Sequence, residues 1–304
     1  MTSAGKPVLL VLSAATVVLF AVASFLPDAR LWGFNHLAFF APPLRLALLA
    51  LVALCFIPAF ARLLLEGFLS ATSWLTRPGR TATMTLVVIS IAAVAVFWFL
   101  RMGTPLLGDG HLLAKSYTAA QDGNDQLIPS NMSNILRAER IAIGTTILNH
   151  WTGRLAHQLT GASWVNGWRF LYCVLGGAFV WLLFSMLRSR GWTPMARLWL
   201  LALVLFSPLM ELFFGYIENY TPLLFFLLLY VGSAVRALQL RGSVVGPVML
   251  LLICVFLHVQ ALVFLPSLAF LVMWRSSKQP ERFAENRLPW VLVAVMAAGV
   301  GVAW

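Results

Sequence analysis

The run Thr83–Leu100 (TMTLVVISIAAVAVFWFL) decides the class of this protein. It carries no charged residue and is long enough to cross a bilayer as a helix, which takes about 20 apolar residues. The stretch Gly103–Tyr117 (GTPLLGDGHLLAKSY) follows and opens the only long polar connection in the chain. In this stretch Asp109 lies between two glycines, shortly after the end of the predicted helix. A plain turn is the alternative interpretation of these three residues.

The composition excludes an ordinary water-soluble domain. Of the 304 residues, 61% are hydrophobic and only 10% are charged, which suits several bilayer spans. The continuous apolar runs also lack the alternation of a transmembrane barrel. The net charge is +11, but the basic residues cluster between the runs, as in cytoplasmic loops. We therefore expect membrane lipids as partners and no nucleic acid.

The positions of the apolar runs predict an all-α, polytopic transmembrane helical bundle of about eight or nine membrane helices. We expect the run Pro7–Leu26 to remain as a first span, with a cleaved signal peptide as the alternative. Residues 1–82 would form an N-terminal two-span segment, and residues 83–304 a transmembrane core. The other predicted spans lie near Leu44–Phe68, Trp168–Leu187, Leu198–Phe214, Leu223–Ala237 and Leu288–Trp304.

The long extracytoplasmic loop after the third span has a helical pattern of its own. Its apolar residues fall mostly four apart and lie beside a basic face, which indicates a helix in the membrane interface. The alternative is a helix packed on a soluble cap, for which the loop is too small. The apolar positions are Leu136, Ile143, Ile147, Trp151 and Leu155.

The run Val244–Trp274 has basic residues at both ends, so the positive-inside rule places both ends in the cytoplasm. Two full spans would need about 40 residues, more than this run supplies. We therefore predict a short hairpin with its tip at His258–Gln260. One long tilted span is the alternative. The last run ends with the chain, and we expect an architecture truncated at its C-terminus.

Counting spans places three polar clusters on the extracytoplasmic side. Tyrosine rings and an amide surround Glu218, and such groups suit carbohydrate. Glu211, seven residues earlier, would share a helix face with Glu218, or form a structural hydrogen bond. The basic residues Lys115, Arg137 and Arg140 could bind a phosphate or reach lipid headgroups. The clusters are Asp109, His111 and Lys115; Tyr216, Glu218 and Asn219; and His258 with Gln260.

Three features occur together in the predicted topology: an acid in the first long outer loop, an interfacial helix after it, and a second acid in a later outer loop. This set resembles the C-type glycosyltransferase superfamily of polytopic membrane enzymes. The resemblance implies transfer of a sugar from a polyprenyl-phosphate donor, usually with inversion, at the extracytoplasmic face of a bacterial-type inner or plasma membrane. Asp109 matches the proposed general base, and Glu218 matches a second outer-loop acid.

The resemblance also implies roles for the neighbouring residues. Positive charge for the departing phosphate would come from Lys115, Arg137 or Arg140, or from a divalent cation, Mg or Mn, held by Asp109 and Glu218. The sugar acceptor is not indicated. Two preceding helices and a single first-loop acid depart from the family pattern. The remaining predicted substrate contacts are His111, Tyr216, Asn219, His258 and Gln260.

Two other functions fit the residues. A transporter or lipid flippase would use Glu211, Glu218 and His258 to line a path, with polar residues spread through the depth of several spans. A non-catalytic scaffold would hold Asp109 and Glu218 far apart.

Overall fold

The computed structural model describes residues 5–26, 36–39, 41–101, 141–188 and 192–278. All the regular secondary structure of these ranges is helical, which confirms the predicted all-α class. The chain divides into two compact units, Met1–Ala71 and Thr72–Trp304.

The first unit contains α1 (Gly5–Ala23), α2 (Pro42–Leu54) and most of α3 (Pro58–Leu75). Helices α2 and α3 are bent by 99° where one straight span was predicted. Pro58 explains the break, because it has no amide hydrogen and disfavours helical geometry at the residue before it. The guanidinium of Arg45 donates to the carbonyl oxygen of Ser24 at 2.6 Å and so ties the end of α1 to α2.

The second unit contains seven described α-helices and two 3-10 helices. Four segments of the described residues are long and apolar enough to cross a membrane, or five if the bent pair α2–α3 is one span. The count of eight or nine stays a prediction. The helices are α4 (Arg80–Phe99), α5 (Ile143–Thr160), α6 (Trp164–Arg188), α7 (Pro194–Leu205), α8 (Thr221–Leu238), α9 (Val245–Leu257) and α10 (Leu265–Lys278), with 3-10 helices at Pro208–Phe213 and Val259–Phe264.

Helices α4 and α6 pack closely in opposite directions. A Cβ at Gly177 would lie 2.6 Å from the carbonyl oxygen of Ser90, so only glycine lets the two backbones approach this far. Such small-residue contacts are the usual means of packing helices in a bilayer. At the end of α6, Arg188 Nη1 donates to Thr83 Oγ1 at 2.8 Å, next to the start of α4.

Helices α8, α9 and α10 form an up-down-up arrangement. The rings of Tyr220 and His258 lie 4.7 Å apart between centroids, which joins the start of α8 to the end of α9. Arg275 Nη2 donates to the carbonyl oxygen of Gly242 at 3.0 Å. The chain between these two residues therefore returns to the end where it began, as the predicted hairpin requires.

These contacts define two ends of the second unit. The polar end holds Arg101, the loop 214–220 and the segment 258–260. The opposite end, the basic end, carries eight of the described cationic residues, at the ends of helices and in the turns between them. They are Arg77, Arg80, Arg188, Arg197, Arg236, Arg241, Arg275 and Lys278.

Helix α5 turns its small and polar residues inward. Gly144, Thr145, Asn149 and Gly153 are buried. Of the apolar stripe predicted from the sequence, Trp151 is 54% and Leu155 55% exposed, and Ile143 and Ile147 are half-buried. The tightest contacts of this helix are therefore made by its small and polar residues and not by the apolar stripe.

All three cysteines lie inside apolar runs of the sequence, which predicts small buried core residues. Cys173 and Cys254 are buried, as expected, but Cys55 is exposed, so the prediction is wrong for Cys55. Helix α2, which Cys55 follows directly, has no buried residue at all, because it packs little of its apolar surface against other residues of the structure.

Candidate functional site at the polar end

The loop 214–220 joins the 3-10 helix Pro208–Phe213 to α8 and is shaped by a glycine. Gly215 has a φ of +68°, a left-handed conformation that glycine adopts without strain. A Cβ at Gly215 would lie 3.2 Å from Arg169 Cβ and 3.4 Å from Arg101 Cβ. The loop therefore passes directly over the stems of two arginines.

Tyr216 and Glu218 form a hydrogen-bonded pair in this loop. Burial raises the pKa of the Tyr216 phenol, and the negative charges of Glu218 and then Glu211 raise that pKa further. The phenol therefore keeps its proton at neutral pH and donates a hydrogen bond to the Glu218 carboxylate. This arrangement holds one oxygen of the carboxylate in a defined direction.

Asn219 is 6% exposed, and its side-chain oxygen is buried with no hydrogen-bond partner among the described residues. A buried amide oxygen without a partner is costly, at about 1–3 kcal/mol. The same oxygen can accept a hydrogen bond from a hydroxyl group of a ligand. Asn219 therefore has unused hydrogen-bonding capacity at its side-chain oxygen.

His258 ends α9 in an extended conformation and is 3% exposed. Its Nδ1 accepts a hydrogen bond from the main-chain amide of Gln260 at 3.2 Å. A neutral ring that accepts at Nδ1 carries its proton on Nε2. Since the same ring packs against Tyr220, the two predicted clusters around Glu218 and His258 meet at the polar end.

Helix α5 holds this arrangement in place. The hydroxyl of Thr145, which is fully buried, points to the carbonyl oxygens of Leu257 at 3.0 Å and Asn219 at 3.2 Å. The amide of Val259 donates to the carbonyl of Ile141 at 2.8 Å. The beginning of α5 therefore fixes both the loop 214–220 and the His258 segment.

A second group of contacts fixes α5 on α6. Tyr172 donates its hydroxyl to Asn149 Oδ1 at 3.0 Å, and Trp168 Nε1 donates to the carbonyl oxygen of the same asparagine. A Cβ at Gly153 would lie 2.8 Å from Trp168 Nε1. Glycine is therefore needed where the two helices cross.

Sequence reasoning missed the two arginines beside Gly215. Arg101 Nη1 donates to the carbonyl oxygen of Trp98 at 2.8 Å, and its guanidinium lies 4.2 Å from the ring centroid of Trp98. Arg169 lies one turn into α6. Each arginine stands next to a tryptophan at the end of an apolar run, and that pattern was the available signal.

Five predicted site residues lie outside the described residues, so their placement stays a prediction. They are Asp109, His111, Lys115, Arg137 and Arg140. Within the described ranges, no three His, Cys, Asp or Glu side chains form a group that could hold a metal ion. Glu218 is the described member of the predicted Asp109–Glu218 pair.

The fold and the polar end define a multi-helical protein with four or five segments able to span a membrane. No protein-family model, curated protein or solved structure matches the chain.

Proposed function

We propose that this protein is a membrane glycosyltransferase that moves a sugar from a polyprenyl-phosphate donor to an acceptor on the extracytoplasmic face. The observation that carries the proposal is the meeting of Glu218, Asn219 and His258 at one end of the bundle. Tyrosine rings, an amide and a carboxylate in one place suit a sugar. The basic end would then face the cytoplasm, in agreement with the positive-inside rule.

The proposed reaction is a single displacement at the anomeric carbon. A hydroxyl oxygen of the acceptor forms the new bond to that carbon, while the bond from carbon to phosphate oxygen breaks. The electron pair leaves with the lipid phosphate, and the hydroxyl proton passes to the Asp109 carboxylate as general base. Glu218, oriented by Tyr216, and the amide of Asn219 bind the sugar hydroxyls.

The leaving phosphate requires positive charge. Arg101 and Arg169, beside the loop 214–220, add two cations to those predicted at Lys115, Arg137 and Arg140. A divalent metal held by Asp109 and Glu218 is the other source. Chelation of divalent ions distinguishes the two, because transfer that depends on arginine charge alone survives the chelator.

The transporter alternative is weakened by the position of Glu211. Its charge acts on Tyr216, so it lies near Glu218 and belongs to the polar end. Glu211 and Glu218 therefore both act near Tyr216, whereas a transport path needs polar residues through the depth of the bundle.

The test is transfer from a polyprenyl-phosphate sugar by the full-length protein in proteoliposomes. Asp109→Asn should lower the rate by about 10²- to 10⁴-fold, the usual contribution of a general base. Glu66→Gln is the matched control, because it removes an exposed carboxylate from the first unit. A rate for Asp109→Asn equal to the wild-type rate would remove Asp109 as the base.

A further inference from the structure

Among the described residues, Arg275 is the most deeply buried cation at the basic end. It is 6% exposed and lies in the last turn of α10. Its Nη2 donates to the carbonyl oxygen of Gly242, but its Nε and Nη1 are buried without a hydrogen-bond partner among the described residues. A guanidinium has five N–H donors, so most of its binding capacity is unused.

The turn opposite Arg275 adds further positive charge. Arg241 donates its main-chain amide to the carbonyl oxygen of Arg236 at 3.0 Å, and a Cβ at Gly242 would lie 3.7 Å from Arg236 Cβ. Both arginine side chains are exposed, as is Lys278 one turn beyond Arg275. The buried guanidinium therefore lies beside flexible cationic side chains.

No described acid balances this charge. The described acids are Glu66, Glu211 and Glu218; the first lies in the other compact unit and the other two lie at the polar end. A buried charge without a partner is strongly unfavourable, and a planar guanidinium fork fits phosphate in two-point contact. The arrangement therefore calls for an anion.

Trp274 and Lys278 indicate the depth of this anion. The Lys278 ammonium lies 5.0 Å from the ring centroid of Trp274, which is 39% exposed. Tryptophan concentrates at the level of the lipid headgroups, and basic pockets between membrane helices bind anionic headgroups. The anion would thus lie at the membrane surface.

We propose that Arg275, with Arg236 and Arg241, binds a phosphate group at the basic end, supplied by an anionic phospholipid or by free phosphate. The ligand enters beside the two exposed arginine side chains and takes the unused Nε and Nη1 donors. This site lies at the opposite end of the bundle from the proposed sugar site and does not depend on it.

The experiment measures lipid binding to the full chain in a neutral detergent. Dioctanoyl phosphatidylglycerol, dioctanoyl phosphatidylcholine and inorganic phosphate are titrated separately, and binding is followed by native mass spectrometry and by the unfolding temperature. We expect saturable binding of phosphatidylglycerol and a raised unfolding temperature, with no effect of phosphatidylcholine. Saturation by inorganic phosphate instead would identify free phosphate as the source and retain the site.

Variants connect the binding to Arg275. Arg275→Gln should weaken phosphatidylglycerol about tenfold to a hundredfold, as expected for the loss of charge-assisted hydrogen bonds. Arg241→Gln, an exposed position, should weaken binding without affecting folding and keeps the test valid if Arg275→Gln does not fold. Arg77→Gln is the matched control, since it removes an exposed charge from the same end.

Three results would overturn the proposal. One is equal binding of the two lipids together with no binding of phosphate. Another is an Arg77→Gln effect as large as that of the Arg241 and Arg275 variants, which would mean general charge attraction. The third is binding of phosphatidylglycerol that appears only in the double variant Glu281→Gln, Glu285→Gln, because the carboxylates of the chain itself would then fill the site in the unmodified protein.

Discussion

Thr145 and Thr146 are neighbours on α5 that differ in one physical respect. Both are buried, but the Thr145 hydroxyl points to two carbonyl oxygens, whereas Thr146 Oγ1 has no hydrogen-bond partner among the described residues. Valine has nearly the same shape as threonine and a similar helix propensity. Replacing each in turn therefore isolates the value of one hydroxyl.

Thr145→Val should lower the free energy of unfolding by about 1–3 kcal/mol, because the single hydroxyl proton shared by two buried carbonyl oxygens is lost. Thr146→Val should leave stability within about 0.5 kcal/mol or raise it, because it removes a buried hydroxyl that binds nothing. Unfolding in mixed micelles of increasing sodium dodecyl sulfate, followed by tryptophan fluorescence, measures both. Proposed transfer activity should fall in the first variant and persist in the second.

Equal losses of stability in the two variants would refute this reasoning. They would mean that the cost comes from repacking at the start of α5 and not from the hydrogen bond. A stable Thr145→Val would refute it more directly, since the contact to Leu257 and Asn219 would then contribute nothing to holding the polar end together.

Three further predictions concern other parts of the molecule. Gly177→Val should destabilise the α4–α6 contact by about 1–3 kcal/mol or more. Gly67→Ala is the control: no atom lies near the added methyl group, so this change should be neutral or stabilising by up to about 1 kcal/mol. The same micelle titration measures both variants. Burial and then the charge of Arg154 lower the pKa of His150, so the unfolded chain binds a proton more readily. Stability should therefore fall as the pH drops below about 6.5, and it should fall less steeply in His150→Gln. Identical pH profiles of the two proteins would mean that His150 does not contribute to the pH dependence of stability. Tyr216→Phe should slow the proposed transfer about tenfold or more without changing the unfolding temperature greatly, because Glu218 loses its hydrogen-bond donor. An unchanged rate would mean that Tyr216 does not orient Glu218 for the reaction.

The amino-acid sequence determined the class of the protein and the direction of much of the chain. Continuous apolar runs dictate membrane helices wherever they occur, so the helix at Thr83–Leu100 and the turn-back near His258 were predictable from local composition. The positions of basic residues likewise predicted that one end of the second unit would collect the cations. These features depend on each segment alone and its preference for lipid or water.

Tertiary structure decided how the segments meet. The inward face of α5 and the two arginines beside Gly215 depend on which backbones approach within contact distance. That distance is set by Gly144 and Gly177, whose neighbours Phe256 and Ser90 come from distant parts of the chain. Periodicity showed an apolar stripe on α5, but in a bilayer an apolar face can turn outward, so the inward face could be identified only from the packed structure.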